Sequence, residues 1–208
     1  MTTKISIIGS GFGLYGLLPA FNQIKDCKVK SICGEDSQRM RDYCDKINVK
    51  KYNNWKEMLE KEKPDAVAIA VIPKYQFEIA KFALENNIAV FAEKPLTTSI
   101  DTAKELVDLA KKKKLANMVD FIFPEIPEWK IAKINLDKGI IGRIAKINVS
   151  WIFLSYDLKN ELESWKTNAE LGGGATSFYF SHILYYLEYF LGPIKTIQGE
   201  LILSDKNI

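Results

Sequence analysis

The chain has 208 residues, 47% of them hydrophobic and 26% charged, with a formal net charge of +3. These totals describe a globular chain of one large or two small domains; they exclude a disordered polyelectrolyte and give no reason to expect a nucleic-acid partner. No apolar run reaches the roughly 20 residues of a membrane span, and Cys27, Cys33 and Cys44 lack metal-binding or CxxC spacing, so free thiols in a cytoplasmic setting are expected.

Residues 4–8 read as a β-branched strand that runs into Gly9-Ser10-Gly11-Phe12-Gly13 and then into an apolar helix over 13–25. Glycine loses more backbone freedom on folding than any other residue, so three at alternate positions need a reason. Between a strand and a helix, the reason is a dinucleotide fingerprint. The turn is too tight for a Cβ, the bare backbone admits a pyrophosphate, and the helix start offers unpaired N–H groups to an anion. Gly9 and Gly11 are the working pair. The third fingerprint position falls on Leu14, whereas the frame Gly11, Gly13, Gly16 is complete but starts two residues beyond the strand. A plain tight turn is the alternative.

A second strand, 28–33, ends at Gly34-Glu35, where this fold meets the adenosine ribose. A carboxylate there accepts from the 2′-hydroxyl, and an arginine accommodates a 2′-phosphate. Glu35 favours NAD; Gly34 leaves room, and Arg39 keeps NADP open. The alternative is that Glu35 and Asp36 only start the next helix, 37–46. After a short strand near 48–52 and a helix over 54–61, "DAVAIAVI" is apolar at nearly every position, as a strand buried on both faces is. It leads through Val71, Ile72 and Pro73 into a helix over 74–86 that carries Gln76. The next strand, 88–92, ends in Glu93-Lys94-Pro95, followed by a helix over 99–113 and a strand over 115–119.

This alternation predicts a doubly wound parallel α/β sheet, a Rossmann domain, over residues 1–120. In the common order 3-2-1-4-5, Lys94 lies about 10 Å sideways from the glycine turn, at ~4.8 Å per strand. A dinucleotide spans that distance and brings its nicotinamide near Pro73 and Lys94. A lysine there can stabilise charge on a substrate oxygen; the alternative is a surface lysine before a helix.

The pattern changes near residue 120. "FPEIPEW" opens a helix over 126–138, and "RIAKINVSWIF" alternates, with Ala145, Ile147, Val149, Trp151 and Phe153 on one face and Lys146, Asn148 and Ser150 on the other. That period predicts a long strand with one wet face. A glycine-rich segment, an aromatic helix over 175–191 and a last strand over 194–203 complete a partial α+β domain, 121–208. It is too thin for a core of its own, so it is expected to pack on the first domain, lean on another subunit or be a truncated piece of something longer; the open sheet and the aromatic helix suggest a homo-oligomer.

Together these pieces resemble the glucose-fructose oxidoreductase and inositol dehydrogenase family. "IIGSGFG…LPAF" looks like its cofactor turn, and "AVIPKYQFEIAKFALENNIAVFAEKPL" like its nicotinamide-side strand, helix and Glu-Lys-Pro motif. "DKGIIGRIAKINVSW" resembles its entry into the second sheet, and "GGGATSFYFSH" its glycine-rich substrate helix. The resemblance implies an NAD(P)-dependent oxidoreductase acting on a secondary hydroxyl of a sugar, nucleotide sugar or cyclitol. It implies Lys94 as catalytic lysine, His182 as acid/base, and Trp165-Lys166 as a pair that helps hold the cofactor. It also implies a cis Lys94–Pro95 peptide. The chain departs from the family in three places: Phe178 stands where an aspartate is usual, Gln76 where a cofactor-side histidine is usual, and Ile122 or Phe123 where an asparagine or arginine is usual. Relatives also continue with further strands. A non-catalytic dinucleotide sensor is the rival reading.

Overall fold

The computed structural model describes residues 2–152, 154–200 and 202. The chain divides into two compact units, Met1–Asp120 with Glu170–Gly172, and Phe121–Ala169 with Gly173–Ile208. The first unit is built on parallel strands β1 (Thr3–Ile8), β2 (Cys27–Cys33), β3 (Lys50–Tyr52), β4 (Ala66–Ile69), β5 (Ala89–Ala92) and β6 (Asn117–Val119), in the order β3-β2-β1-β4-β5-β6. The connecting helices are α1 (Leu18–Asn22), α2 (Gln38–Ile47), α3 (Trp55–Glu62), α4 (Pro73–Glu85) and α5 (Ile100–Lys113). The first crossover enters α1 through a wider π-turned stretch, Gly13–Leu17. This is the doubly wound sheet that the alternation predicts.

Two hydrophobic clusters are the two faces of the sheet. Ile8, Val67 and Ile69 point into one, and Ile5, Ile7 and Ala68 into the other. Burial on both sides explains why β4 shows no polar alternation. The β1–β2 register shifts between Ile5 and Ser6, which leaves Lys30 as an extra residue. The bulge puts Val29 and Ile32, three apart, into the same cluster. Beside it, Ser6 and Ser31 are fully buried and satisfy each other through Oγ atoms 2.8 Å apart.

Side-chain caps set the helix limits. Ser37, Asn54 and Ser99 each accept from backbone N–H groups in the first turns of α2, α3 and α5. Left-handed Asn48, Lys63 and Lys114 end the same helices. Cys27, Cys33 and Cys44 are free, and burial pushes the Cys33 thiol up to about 11, so it packs as an inert apolar group.

The second unit contains α6 (Pro127–Asp137), α7 (Tyr156–Lys159) and α8 (Ser181–Leu191), the last entered through a π-turned stretch, Ala175–Phe180. The long strand expected over 143–153 does not form: residues 144–152 have no regular backbone pairing. Ile147 is 40% exposed and Ile152 92%. Alternation is a property of one segment, but a strand needs a partner's N–H and C=O groups. No partner strand exists among the described residues of this unit; Phe153 lies outside them. Residues 194–200 and 202 also lack the expected last strand, and 201 and 203 lie outside the described residues.

The serine pair yields a double-mutant test. Ser6→Ala or Ser31→Ala alone strands one buried hydroxyl and should cost about 1–3 kcal/mol. The double variant should lose clearly less than the sum in urea unfolding; strict additivity would show that the pair does not interact.

Candidate active site

Gly9 follows β1 with φ +129°, and a Cβ there would lie 2.2 Å from the Ala70 carbonyl oxygen. Only glycine fits. A Cβ on Gly13 would meet Ile7 Cγ2 at 3.0 Å, so Gly13 seats the crossover against β1. Gly11 differs: an added Cβ would meet no protein atom within 4 Å. Internal packing therefore makes no demand for glycine at that position. No side chain caps the following helix start, and the Ser10 hydroxyl is engaged elsewhere, accepting from Glu35 N at 3.2 Å. Bare backbone at Gly11 and an uncapped helix start fit a pyrophosphate.

The ribose-side residues surround the same turn. Gly34 is held against Ser10, whose Cβ would lie 2.6 Å from a Cβ at 34. Glu35 is exposed. The Arg39 guanidinium lies over the Tyr15 ring, 5.5 Å from its centroid. Phe12 is 43% exposed and covers Gly16, where a Cβ would meet its ring at 2.4 Å.

Lys94 follows β5, two strands from β1 at the same carboxyl edge. It is half-buried, and its peptide to Pro95 is cis. Val71, Ile72 and Pro73 lead from β4 into α4 nearby in the sheet order, and Pro73 is buried. Gly172, at φ +92°, belongs to this unit and packs on Pro73, with Cβ-to-Cβ room of only 2.5 Å. Gln76 is fully buried, and its Nε2 donates to the Glu93 carbonyl at 2.9 Å and the Pro95 carbonyl at 2.6 Å.

Asp120 was not foreseen as part of this edge. Asp120 N donates to Ala92 O at 2.9 Å and Glu93 N to Ile69 O at 2.8 Å, so both ladders continue one residue past their strands. Because Ala92 pairs with Val119, Glu93 and Asp120 are the next facing positions of two parallel strands. Burial first, then the facing Asp120 carboxyl, push the Glu93 carboxyl up to about 8; the Lys94 charge acts the other way. The sequence signal was a carboxylate immediately after each of two neighbouring strands, readable only with their register.

In the second unit, His182 is the second residue of α8 and 7% exposed. Its ring lies edge-on to Phe123 at 5.0 Å and Phe121 at 5.5 Å, with Trp151 at 6.1 Å. Phe178 packs edge-on against Trp165 at 5.2 Å. Lys166 pairs with Asp157 at 3.3 Å. Gly173 lies so close to the Trp165 carbonyl that a Cβ would reach within 2.1 Å. Thus Gly9, Gly11, Phe12, Gly13, Gly34 and Glu35 share one turn, and Pro73, Gln76, Glu93 and Lys94 share one loop region of the first unit. Lys166 and His182 belong to the second unit.

A parallel sheet with an uncapped glycine turn after its first strand defines a dinucleotide-binding Rossmann protein. The chain belongs to the glucose-fructose oxidoreductase and inositol dehydrogenase family: residues 3–121 match its oxidoreductase NAD-binding Rossmann domain and 133–198 its C-terminal α/β domain. An uncharacterised oxidoreductase of Synechocystis sp. is 30% identical over 95% of this chain and 53% of its own length. A dTDP-3,4-didehydro-2,6-dideoxy-α-D-glucose 3-reductase of Saccharopolyspora spinosa is 27% identical over 83% of this chain and 51% of its own length. The chain spans about half the length of the curated relatives it matches. Among solved structures, the WlbA dehydrogenase of Chromobacterium violaceum, in complex with NADH and UDP-GlcNAcA, has the same fold. Its TM-score is 0.79 at 19% identity, over 92% of this chain and 56% of that one. A 3-ketoreductase of Actinomadura kijaniata, in complex with NADP, aligns at TM-score 0.62 and 26% identity, over 69% of this chain and 46% of that one.

The raised Glu93 value has a pH consequence of definite sign. Between its unfolded value near 4.5 and its folded value of about 8, the folded chain keeps a proton that the unfolded chain has released. Stability from this group is full at low pH and is lost as pH rises through that window. Glu93→Gln does not titrate, so its Tm relative to the unsubstituted chain should climb from about pH 5 to about pH 8. A constant offset across the window would show that Glu93 ionises normally.

Proposed function

We propose that the chain is an NAD(P)-dependent oxidoreductase that interconverts a secondary hydroxyl and a carbonyl on a sugar, nucleotide sugar or cyclitol. The observation that carries this reading is the bare Gly11 backbone at an uncapped helix start, with Lys94 two strands away on the same sheet edge. Relatives named as a dTDP-3,4-didehydro-2,6-dideoxy-α-D-glucose 3-reductase, a levoglucosan dehydrogenase and a D-xylose dehydrogenase support the substrate class.

Gly9, Gly11, Phe12 and Gly13 hold the diphosphate, Gly34, Glu35 and Arg39 meet the ribose, and Val71, Ile72, Pro73 and Glu93 line the nicotinamide side. The Glu35 carboxylate repels a 2′-phosphate, which favours NAD over NADP. When bound, the nicotinamide supplies the hydride acceptor or donor. In oxidation, His182 takes the hydroxyl proton. Lys94 orients the oxygen and favours the negative charge that develops on it. Three free thiols suit a cytoplasmic setting, and the exposed Ile147, Val149, Ile152 and Leu154 support self-association. Phe178, in place of a carboxylate, favours the second reading, a dinucleotide-binding sensor without turnover.

Calorimetric titration with NAD and NADP, followed by a turnover screen on sugars and nucleotide sugars, separates the two. Cofactor binding with no change in nicotinamide absorbance on any substrate would support the sensor. Lys94→Ala should lower kcat by roughly 10²–10³-fold with little change in cofactor Kd; undiminished turnover would remove Lys94 from the chemistry. The glycines should separate two roles. Gly11→Ala should leave the melting temperature nearly unchanged and weaken cofactor binding, whereas Gly9→Ala should destabilise the fold by about 3 kcal/mol.

A further inference from the structure

We infer that Gln76 is a positioning residue that holds the backbone on both sides of Lys94. This rests on the reading of Lys94 as catalytic. One nitrogen, Gln76 Nε2, reaches the Glu93 carbonyl at 2.9 Å, the Pro95 carbonyl at 2.6 Å and, more weakly, the Leu96 carbonyl at 3.4 Å. The first belongs to the peptide that enters Lys94, and the second to the residue that follows it. The amide therefore brackets the lysine without touching its side chain.

Position 76 is an unexpected place for an amide. The buried stripe of α4 runs through Ile79, Ala80, Ala83 and Leu84, and Gln76 continues it by one turn with no exposed surface. An apolar residue there would satisfy the stripe. The amide is tolerated although its Oε1 is buried without a hydrogen-bond partner, a cost of about 1–3 kcal/mol. What offsets that cost is the satisfaction of carbonyls that lie beyond the strand ladder and would otherwise be stranded. The far end of the loop is fixed separately: Ser99 Oγ accepts from Thr102 N at 3.2 Å and caps α5. Between the strand end and that cap, Gln76 pins the loop at Lys94. Its role is thus indirect, where the sequence suggested contact with the cofactor.

The test uses the full chain with Gln76→Met, Gln76→His and Lys94→Ala. Methionine keeps the length and volume but has no donor; histidine returns a ring N–H of similar reach. Amide hydrogen exchange is read over residues 93–97, cofactor Kd by calorimetry, and kcat and KM on the substrate found by the screen. Gln76→Met should raise exchange at 93–97 by roughly tenfold or more, with β1 and β4 unchanged. It should lower kcat by about 10–100-fold at nearly constant KM and cofactor Kd. Gln76→His should recover most of both effects, which a mere packing defect would not do. If Gln76→Met does not fold, Gln76→Asn, one methylene shorter, takes its place. Unchanged exchange at 93–97 overturns the inference. So does weaker cofactor binding with unchanged kcat, because that is the signature of direct contact. Full activity in Lys94→Ala together with the exchange response would retain the clamp and remove only the catalytic reading of Lys94.

Discussion

The approach of Gly9 to the Ala70 carbonyl is the constraint on which the site depends. The exits of β1 and β4 lie side by side at the carboxyl edge, and a Cβ at residue 9 would come within 2.2 Å of that oxygen. Two further close approaches follow from it. Gly13 seats the crossover on Ile7, and Gly34 seats the end of β2 on Ser10. Three chain segments thereby converge closely on one turn. The Ser10 hydroxyl accepts from Glu35 N, and no side chain caps the helix start. What remains at the turn is main chain, and main-chain N–H groups at a helix start recognise an anion by dipole and hydrogen bond together.

The second half of the edge is organised by polar groups far apart in sequence. Gln76, Glu93 and Asp120 come from α4 and the ends of β5 and β6: Gln76 holds backbone on both sides of Lys94, and the Glu93 carboxyl feels both the facing Asp120 and the Lys94 charge. With its carboxyl pushed up to about 8 by burial and the facing Asp120, Glu93 is mostly protonated at neutral pH. A protonated Glu93 adds no negative charge beside Lys94, so the lysine's field is not cancelled from that side.

Much of this arrangement was legible in the sequence because it is written in local periods. The alternation of apolar strands with helical stripes gave the doubly wound sheet, and the glycines at 9, 11 and 13 marked its first crossover. The Glu93–Asp120 pair was not legible, because it depends on Ala92 facing Val119, and register is a property of two strands. Gln76 could have been noticed as a polar residue in phase with Ile79, Ala80 and Ala83, but the carbonyls it serves could not. The segment 144–152 was misread for the converse reason: its alternation is real, yet no described strand of its unit pairs with it.

The position of Phe178 shows how the second unit holds its histidine. A carboxylate one turn before His182 would orient the imidazole by a hydrogen bond. Residue 178 lies instead on the π-turned stretch Ala175–Phe180, where its ring packs on Trp165 at 5.2 Å and Tyr179 at 4.6 Å. Aromatic rings flank the imidazole: Phe121 and Phe123 meet it edge-on at 87° and 83°, and Phe121 is itself stacked on Tyr185 at 4.3 Å. Edge-to-face packing restricts a ring plane much as a hydrogen bond does, though without adding charge. A carboxylate at 178 would lose the ring contacts that Phe178 makes with Trp165 and Tyr179.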